Sequence, residues 1–96
     1  MPHFIYFIHP TRPEMITSGL RDEEKQLLGE HFAYLKELRD RGVVLLAGPS
    51  TDPPYTGIVV FKAQDTSEAR RIMHSDPAVE GGVFEARLSA FKVSLI

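Results

Sequence analysis

The sequence predicts an α+β fold with elements in the order β-α-β-β-α-β. Three observations carry this. Residues 23–41 hold an apolar stripe at helical spacing, with acidic residues at its start and Gly42 behind it. A second helical pattern follows Asp65 and Thr66. Between and around these lie short runs rich in aromatic and β-branched residues, each bounded by Pro or Gly, which read as strands.

The first strand is expected at residues 3–9, stopping at Pro10. Ile5 and Phe7 point one way and Phe4, Tyr6 and Ile8 the other, so both faces are apolar and both require cover. Residues 10–20, with Pro10, Arg12, Pro13 and Gly19, read as an irregular loop. Asp22, Glu23 and Glu24 suit a helix start, as cap and as charges complementing the dipole. At about 100° per residue, Leu27, Leu28, Tyr34, Leu35 and Leu38 fall within an arc roughly 120° wide. His31 lies near the centre of that arc, a titratable ring where a leucine would pack better. Arg39 and Arg41 occupy the last turn and Gly42 stops it.

Residues 43–47 form a continuous apolar run ending at Gly48-Pro49, which reads as a buried strand and its turn. Residues 55–63 predict a third strand, with Gly57 where a backbone or ligand approaches closely. The second helix, capped by Asp65 or Thr66, turns Ala69, Ile72 and Met73 inward and ends near Ser75. Asp76-Pro77 through Gly81-Gly82 predicts a compact turn, opened helically at Pro77. The last and longest strand is expected at 83–96. Its apolar set passes from Phe84, Ala86, Leu88 and Ala90 to Phe91, Val93 and Leu95, a phase shift that predicts a bulge or a change of neighbours.

This order is that of a ferredoxin-like split βαβ fold, an antiparallel four-stranded sheet with both helices on one face. The other face, also apolar, calls for a partner, and a second copy packed sheet to sheet is the economical one.

Ninety-six residues amount to one domain, residues 1–96. The net charge of −2, with no basic run longer than Arg70-Arg71, argues against nucleic acid or anionic membrane as partner. The N-terminal apolar run, residues 4–8, is too short for a signal peptide or membrane helix. Without cysteine there is neither disulfide nor thiolate chemistry, which fits the cytoplasm. His3 and His9 lie about 20 Å apart along one strand. No His, Asp or Glu set has metal spacing, so no metal is expected. No phosphate-cradling glycine motif is present and no cofactor is expected.

Three pieces in order resemble the YCII-related family, within the dimeric α/β-barrel group of ferredoxin-like folds. They are His31 followed by Tyr34-Leu35 and Leu38, then Gly42 through Gly48-Pro49 (GVVLLAGP), then Asp76-Pro77 leading through Val79 and Gly82-Val83. The resemblance implies a sheet-to-sheet homodimer and an active-site pocket lined by His31 and Asp76. Residues 10–20 depart from it, being longer and richer in proline than the short basic link of the family.

Each candidate has a functional and a structural reading. His31 is either a general acid/base facing a pocket or a core histidine with its nitrogens satisfied. Asp76 is an N-cap before Pro77. It is also a candidate carboxylate to orient His31, and the two roles are compatible because a carboxylate has several lone pairs. Tyr6 offers a phenol to the pocket or packs as a core aromatic, and Gly48 and Pro49 end a strand or bring backbone N–H groups near a ligand. The expected function is a cofactor-independent enzyme, of lyase or isomerase type, using a His31–Asp76 dyad on a small organic molecule. The alternative is a non-catalytic ligand-binding or accessory module with a structural histidine.

Overall fold

Three strands that are apolar along their length and a fourth that alternates build one antiparallel sheet in the computed structural model, which describes all 96 residues. The elements are β1 (His3–Pro10), α1 (Glu14–Thr17), α2 (Asp22–Asp40), β2 (Val44–Pro49), β3 (Gly57–Lys62), α3 (Thr66–His74), α4 (Pro77–Glu80) and β4 (Phe84–Phe91). The sheet order is β2-β3-β1-β4, the ferredoxin-like arrangement. Phe4, Tyr6 and Ile8 from β1 join Val59 and Phe61 from β3 beneath the helices. There they meet Leu38 of α2 and Ala69, Ile72 and Met73 of α3. On the opposite face the Arg87 guanidinium lies 4.5 Å over the Phe7 ring.

Several boundaries differ from the sequence expectation. Residues 10–20 are not wholly irregular, because Glu14–Thr17 forms one helical turn that buries Met15. Four residues are too few to show a period. β2 includes Gly48 and Pro49 rather than stopping before them, with Gly48 paired to Ile58 and Pro49 to Gly57. Pro49 is tolerated because β2 is an edge strand. The third strand starts at Gly57 rather than Tyr55, whose backbone is left-handed at φ 55°. A side chain at Gly57 would meet Ile8 Cγ1 at 2.6 Å, so the close approach there is from β1.

The last strand is shorter than expected. β4 ends at Phe91, opposite His3 at the start of β1, beyond which Lys92 has no strand to pair with. Its register with β1 runs unbroken from Phe84 to Phe91, so the apolar phase shift is not a bulge. Phe84, Ala86 and Leu88 face the helices. Phe91, of opposite parity, falls on the other face and is 42% exposed. The irregular register lies instead in β2, between Val44 and Leu46.

α2 begins at Asp22, and the cap position is Arg21 rather than Asp22. Glu24 reaches back to accept the Arg21 N–H at 2.7 Å. The same carboxylate takes two bonds from Arg12, Nε at 2.9 Å and Nη2 at 2.6 Å, while Nη2 also donates to the Gly19 carbonyl. One guanidinium thus pins residues 12–19 to the start of α2. The Arg12 hydrogen bonds, then that of the Arg21 N–H, pull the Glu24 carboxyl from its ordinary 4.5 to about 2. Because the folded value is depressed, this stabilisation is fully present above pH 4.5 and is lost as pH falls through about 2. Melting temperatures of the native protein and Glu24→Gln should therefore differ at pH 6 and converge between pH 4.5 and 2.

Candidate active site

Asp76 sits where the chain passes from α3 into α4, and its surroundings follow from Pro77. Proline at the first helical position has no N–H, so the first donor of α4 available to a cap is Ala78 N–H. That group donates to Asp76 Oδ1 at 3.0 Å. The carboxylate is fully buried, which obliges its remaining lone pairs to find donors as well. Tyr6, at the centre of β1, donates its hydroxyl to Oδ2 at 2.7 Å. His31 supplies the third, its Nδ1 lying 2.8 Å from Oδ1 and 2.7 Å from Oδ2.

The bookkeeping of donors sets the histidine tautomer. Ala78 N–H donates, and the Tyr6 phenol keeps its proton, since burial and then the Asp76 charge push its pKa far above the ordinary 10. An acceptor-only carboxylate then leaves Nδ1 as the protonated ring nitrogen. Nε2 has no hydrogen-bond partner within the protein. Tyr34, a turn further along α2, donates to the Ile72 carbonyl at 2.7 Å and so ties α2 to the end of α3. Burial, then the nearby Asp76, pushes the Tyr34 hydroxyl up to about 12.

His31 is 8% exposed, and that exposure opens into a cavity of about 600 Å³ between α2, α1 and the β2 edge. Phe84 packs edge-on to the imidazole, with ring centroids 5.5 Å apart. Phe32 packs against its other side at 6.5 Å and is 68% exposed. The remaining lining is mostly aliphatic, with Ser50 and Tyr55 near the β2–β3 turn. The volume is within the range of small-ligand pockets, and a mostly apolar lining with a few polar groups, here His31, Lys36, Arg39, Ser50 and the Tyr55 hydroxyl, is their usual composition. Chemically, the arrangement offers a lone pair on Nε2, the ring nitrogen not bound to Asp76, on a residue that lines an apolar cavity, with a buried carboxylate at Nδ1 to stabilise the imidazolium formed on proton uptake.

The structure brings His31 and Asp76 into direct contact across 45 positions of sequence. Gly48 and Pro49 line the cavity with His31. Tyr6 is placed differently from its sequence-based role as a pocket phenol. It is wholly buried, outside the cavity lining, and its hydroxyl is spent on Asp76. In sequence Tyr34 and Phe84 read only as members of apolar faces, and the wall formed by Met15, Ile16 and Leu20 falls in a stretch that reads as loop. A buried tyrosine hydroxyl needs a partner, which is the signal that points from Tyr6 to a buried acceptor. Residues 15–20 carry no comparable signal.

Comparison with known proteins is consistent with this geometry. The sequence profile of the YCII-related domain matches residues 4–90. Among solved structures, the chain is similar to 5-chloro-2-hydroxyhydroquinone dehydrochlorinase (TftG) from Burkholderia phenoliruptrix AC1100, in complex with 2,5-dihydroxybenzoquinone. The TM-score is 0.66 at 18% identity, covering 93% of each chain. It is also similar to the de novo designed protein Ferredog-Diesel, with TM-score 0.52 and 17% identity over 93% of this chain and 84% of that one. At these identities the likeness is one of fold. No curated protein sequence matches the chain.

Proposed function

The chain belongs to the YCII-related domain family, and from that premise we propose that it is a small-molecule enzyme using His31 as general base and acid. The observation that carries this reading is the imidazole itself, bound through Nδ1 to Asp76 with Nε2 unpartnered beside the cavity. In the proposed reaction Nε2 takes a proton from a carbon activated by a neighbouring carbonyl or enol. The electron pair of that C–H bond forms a double bond, and either a leaving group departs (elimination) or the imidazolium returns the proton elsewhere (isomerisation). Asp76 orients the ring and stabilises the imidazolium, and Tyr6 acts behind it as a positioning residue. The protein itself supplies the base and the counter-charge, so the reading calls for no cofactor. The fold neighbour that removes chloride from a chlorinated hydroxyhydroquinone supports a small cyclic or phenolic substrate as the first class to test.

The test is chloride release from 5-chloro-2-hydroxyhydroquinone, together with deuterium uptake from D₂O into a panel of cyclic enols and enones. Turnover of at least one compound that His31→Gln abolishes is the expected result. A native protein inert to all of them, or a His31→Gln variant as active as native, overturns the reading.

We also propose that the active form is a homodimer, joined through the sheet face that the helices leave open. Ile5, Phe7, Ile58 and Val60 share that face by strand parity, and Leu46, paired with Val60, is 55% exposed there. Sedimentation velocity should give a dimer for the native chain and a folded monomer for Phe7→Glu. A native monomer overturns it. No helix is long and apolar enough to cross a membrane. The absence of cysteine is compatible with the cytoplasm, where we place the enzyme.

A further inference from the structure

The cavity beside His31 has a charge pattern that the chemistry above leaves unused. α2 is an acidic helix, carrying Asp22, Glu23, Glu24, Glu30, Glu37 and Asp40. None of these lines the cavity, nor does any other carboxylate. From the same helix the cavity receives Lys36 and Arg39, its two permanent cations. Lys36 has no carboxylate within ion-pair distance. Arg39 touches Asp40 at 3.0 Å, but those side chains are 61% and 67% exposed. An ion pair that open to water holds its partners weakly and yields readily to a competing anion.

The spacing along the helix gives the arrangement a length. At 1.5 Å rise per residue, Lys36 and Arg39 stand about 7.5 and 12 Å from His31 along the axis. Leu35 and the β2 residues Val44 and Ala47, which share the helix-covered face with Phe61 and Val59, provide an apolar wall beside them. We propose that the cavity selects an elongated apolar substrate ending in a carboxylate. Its reacting end lies at His31, its hydrocarbon body lies along Leu35 and β2, and its anion lies at Lys36 and Arg39. This rests on the reading of the cavity as the substrate site, and it makes the two cations specificity-determining residues of that site. A cyclic or phenolic reacting end at His31 fits this arrangement when a carboxylate-terminated chain extends from it.

Two matched probes separate the charge from the body: 6-phenylhexanoate and 6-phenylhexan-1-ol, each titrated into the native protein and followed by amide NMR shifts. The expected result is that both probes perturb α2 between His31 and Arg39 and the facing β2 amides. The carboxylate should bind about fivefold more tightly, within the range for two partly exposed ion pairs. In Lys36→Glu/Arg39→Glu that preference should vanish while the alcohol binds as before. An Arg70→Glu variant, altered on α3, serves as the control and should retain the preference. Equal binding of the two probes in the native protein, or a preference that survives the double charge reversal, overturns the anion site and leaves the cavity as the substrate site. No perturbation by either probe overturns both.

Discussion

Asp76→Ala should be severely destabilising, lowering stability by about 3 kcal/mol or more. For a chain of this size that corresponds to a fall in melting temperature of about 15 °C. The figure follows from what the carboxylate satisfies. It caps α4 through Ala78 N–H, and loss of such a cap alone costs about 1 kcal/mol. It is also the acceptor for the Tyr6 hydroxyl and His31 Nδ1. Tyr6 is wholly buried, so its hydroxyl has no water to turn to and stays unsatisfied, a penalty of about 1–3 kcal/mol. Thermal unfolding monitored by circular dichroism would measure the loss. The double variant Asp76→Ala/Tyr6→Phe should recover part of it, because the orphaned hydroxyl goes with its partner. A melting temperature for Asp76→Ala within a few degrees of native would mean that the buried network contributes little.

The fold was legible because its main determinants are periodic. The stripe on α2, the inward set on α3 and the aromatic alternation of β1 each persist long enough to fix an element and its buried face. The ends of β2 and β4 were not legible, and the reason is the same for both. A strand ends where its neighbour ends, not where its own composition changes. Gly48-Pro49 stays in the ladder because Gly57 and Ile58 lie opposite. The residues after Phe91 leave it because β1 has run out. α1 was missed because Met15 is buried by tertiary contact and Arg12 holds the segment from outside it.

The candidate site divides along the same line. His31 was visible as a misfit on an apolar stripe, and Asp76 as a cap before proline. Local pattern identifies such residues one at a time. Their meeting was implied only by family resemblance, because nothing in a sequence separation of 45 encodes a distance. Tyr6 was open in sequence between a phenol for the pocket and a core aromatic, and the geometry spends its hydroxyl on holding the carboxylate that holds the histidine. No feature of the sequence sets Lys36 and Arg39 apart from the acids beside them on α2, and only the cavity distinguishes them.

Asp76→Asn should separate the structural from the chemical work of this residue, and it carries the second large effect. An asparagine keeps the shape and retains one oxygen to cap Ala78 N–H, so stability should fall less than in Asp76→Ala. Its amide N–H₂, however, is a donor where the carboxylate had only acceptors. A donor facing His31 Nδ1 makes that nitrogen an acceptor and moves the neutral ring's proton to Nε2. The cavity then meets an N–H instead of a lone pair. The base is lost while the histidine stays in place. Turnover of any substrate found for the native enzyme should therefore drop about 10²–10⁴-fold, the usual worth of a positioned acid/base group. KM should change little, because Asp76 does not line the cavity. His31→Gln should lose activity to a similar degree, and combining it with Asp76→Asn should add almost nothing, since the two residues act as one unit. Steady-state kinetics on the four proteins of that cycle is the measurement. Additive losses would show that Asp76 acts on the reaction by some route other than His31. Full activity in Asp76→Asn would show that the carboxylate serves the fold alone.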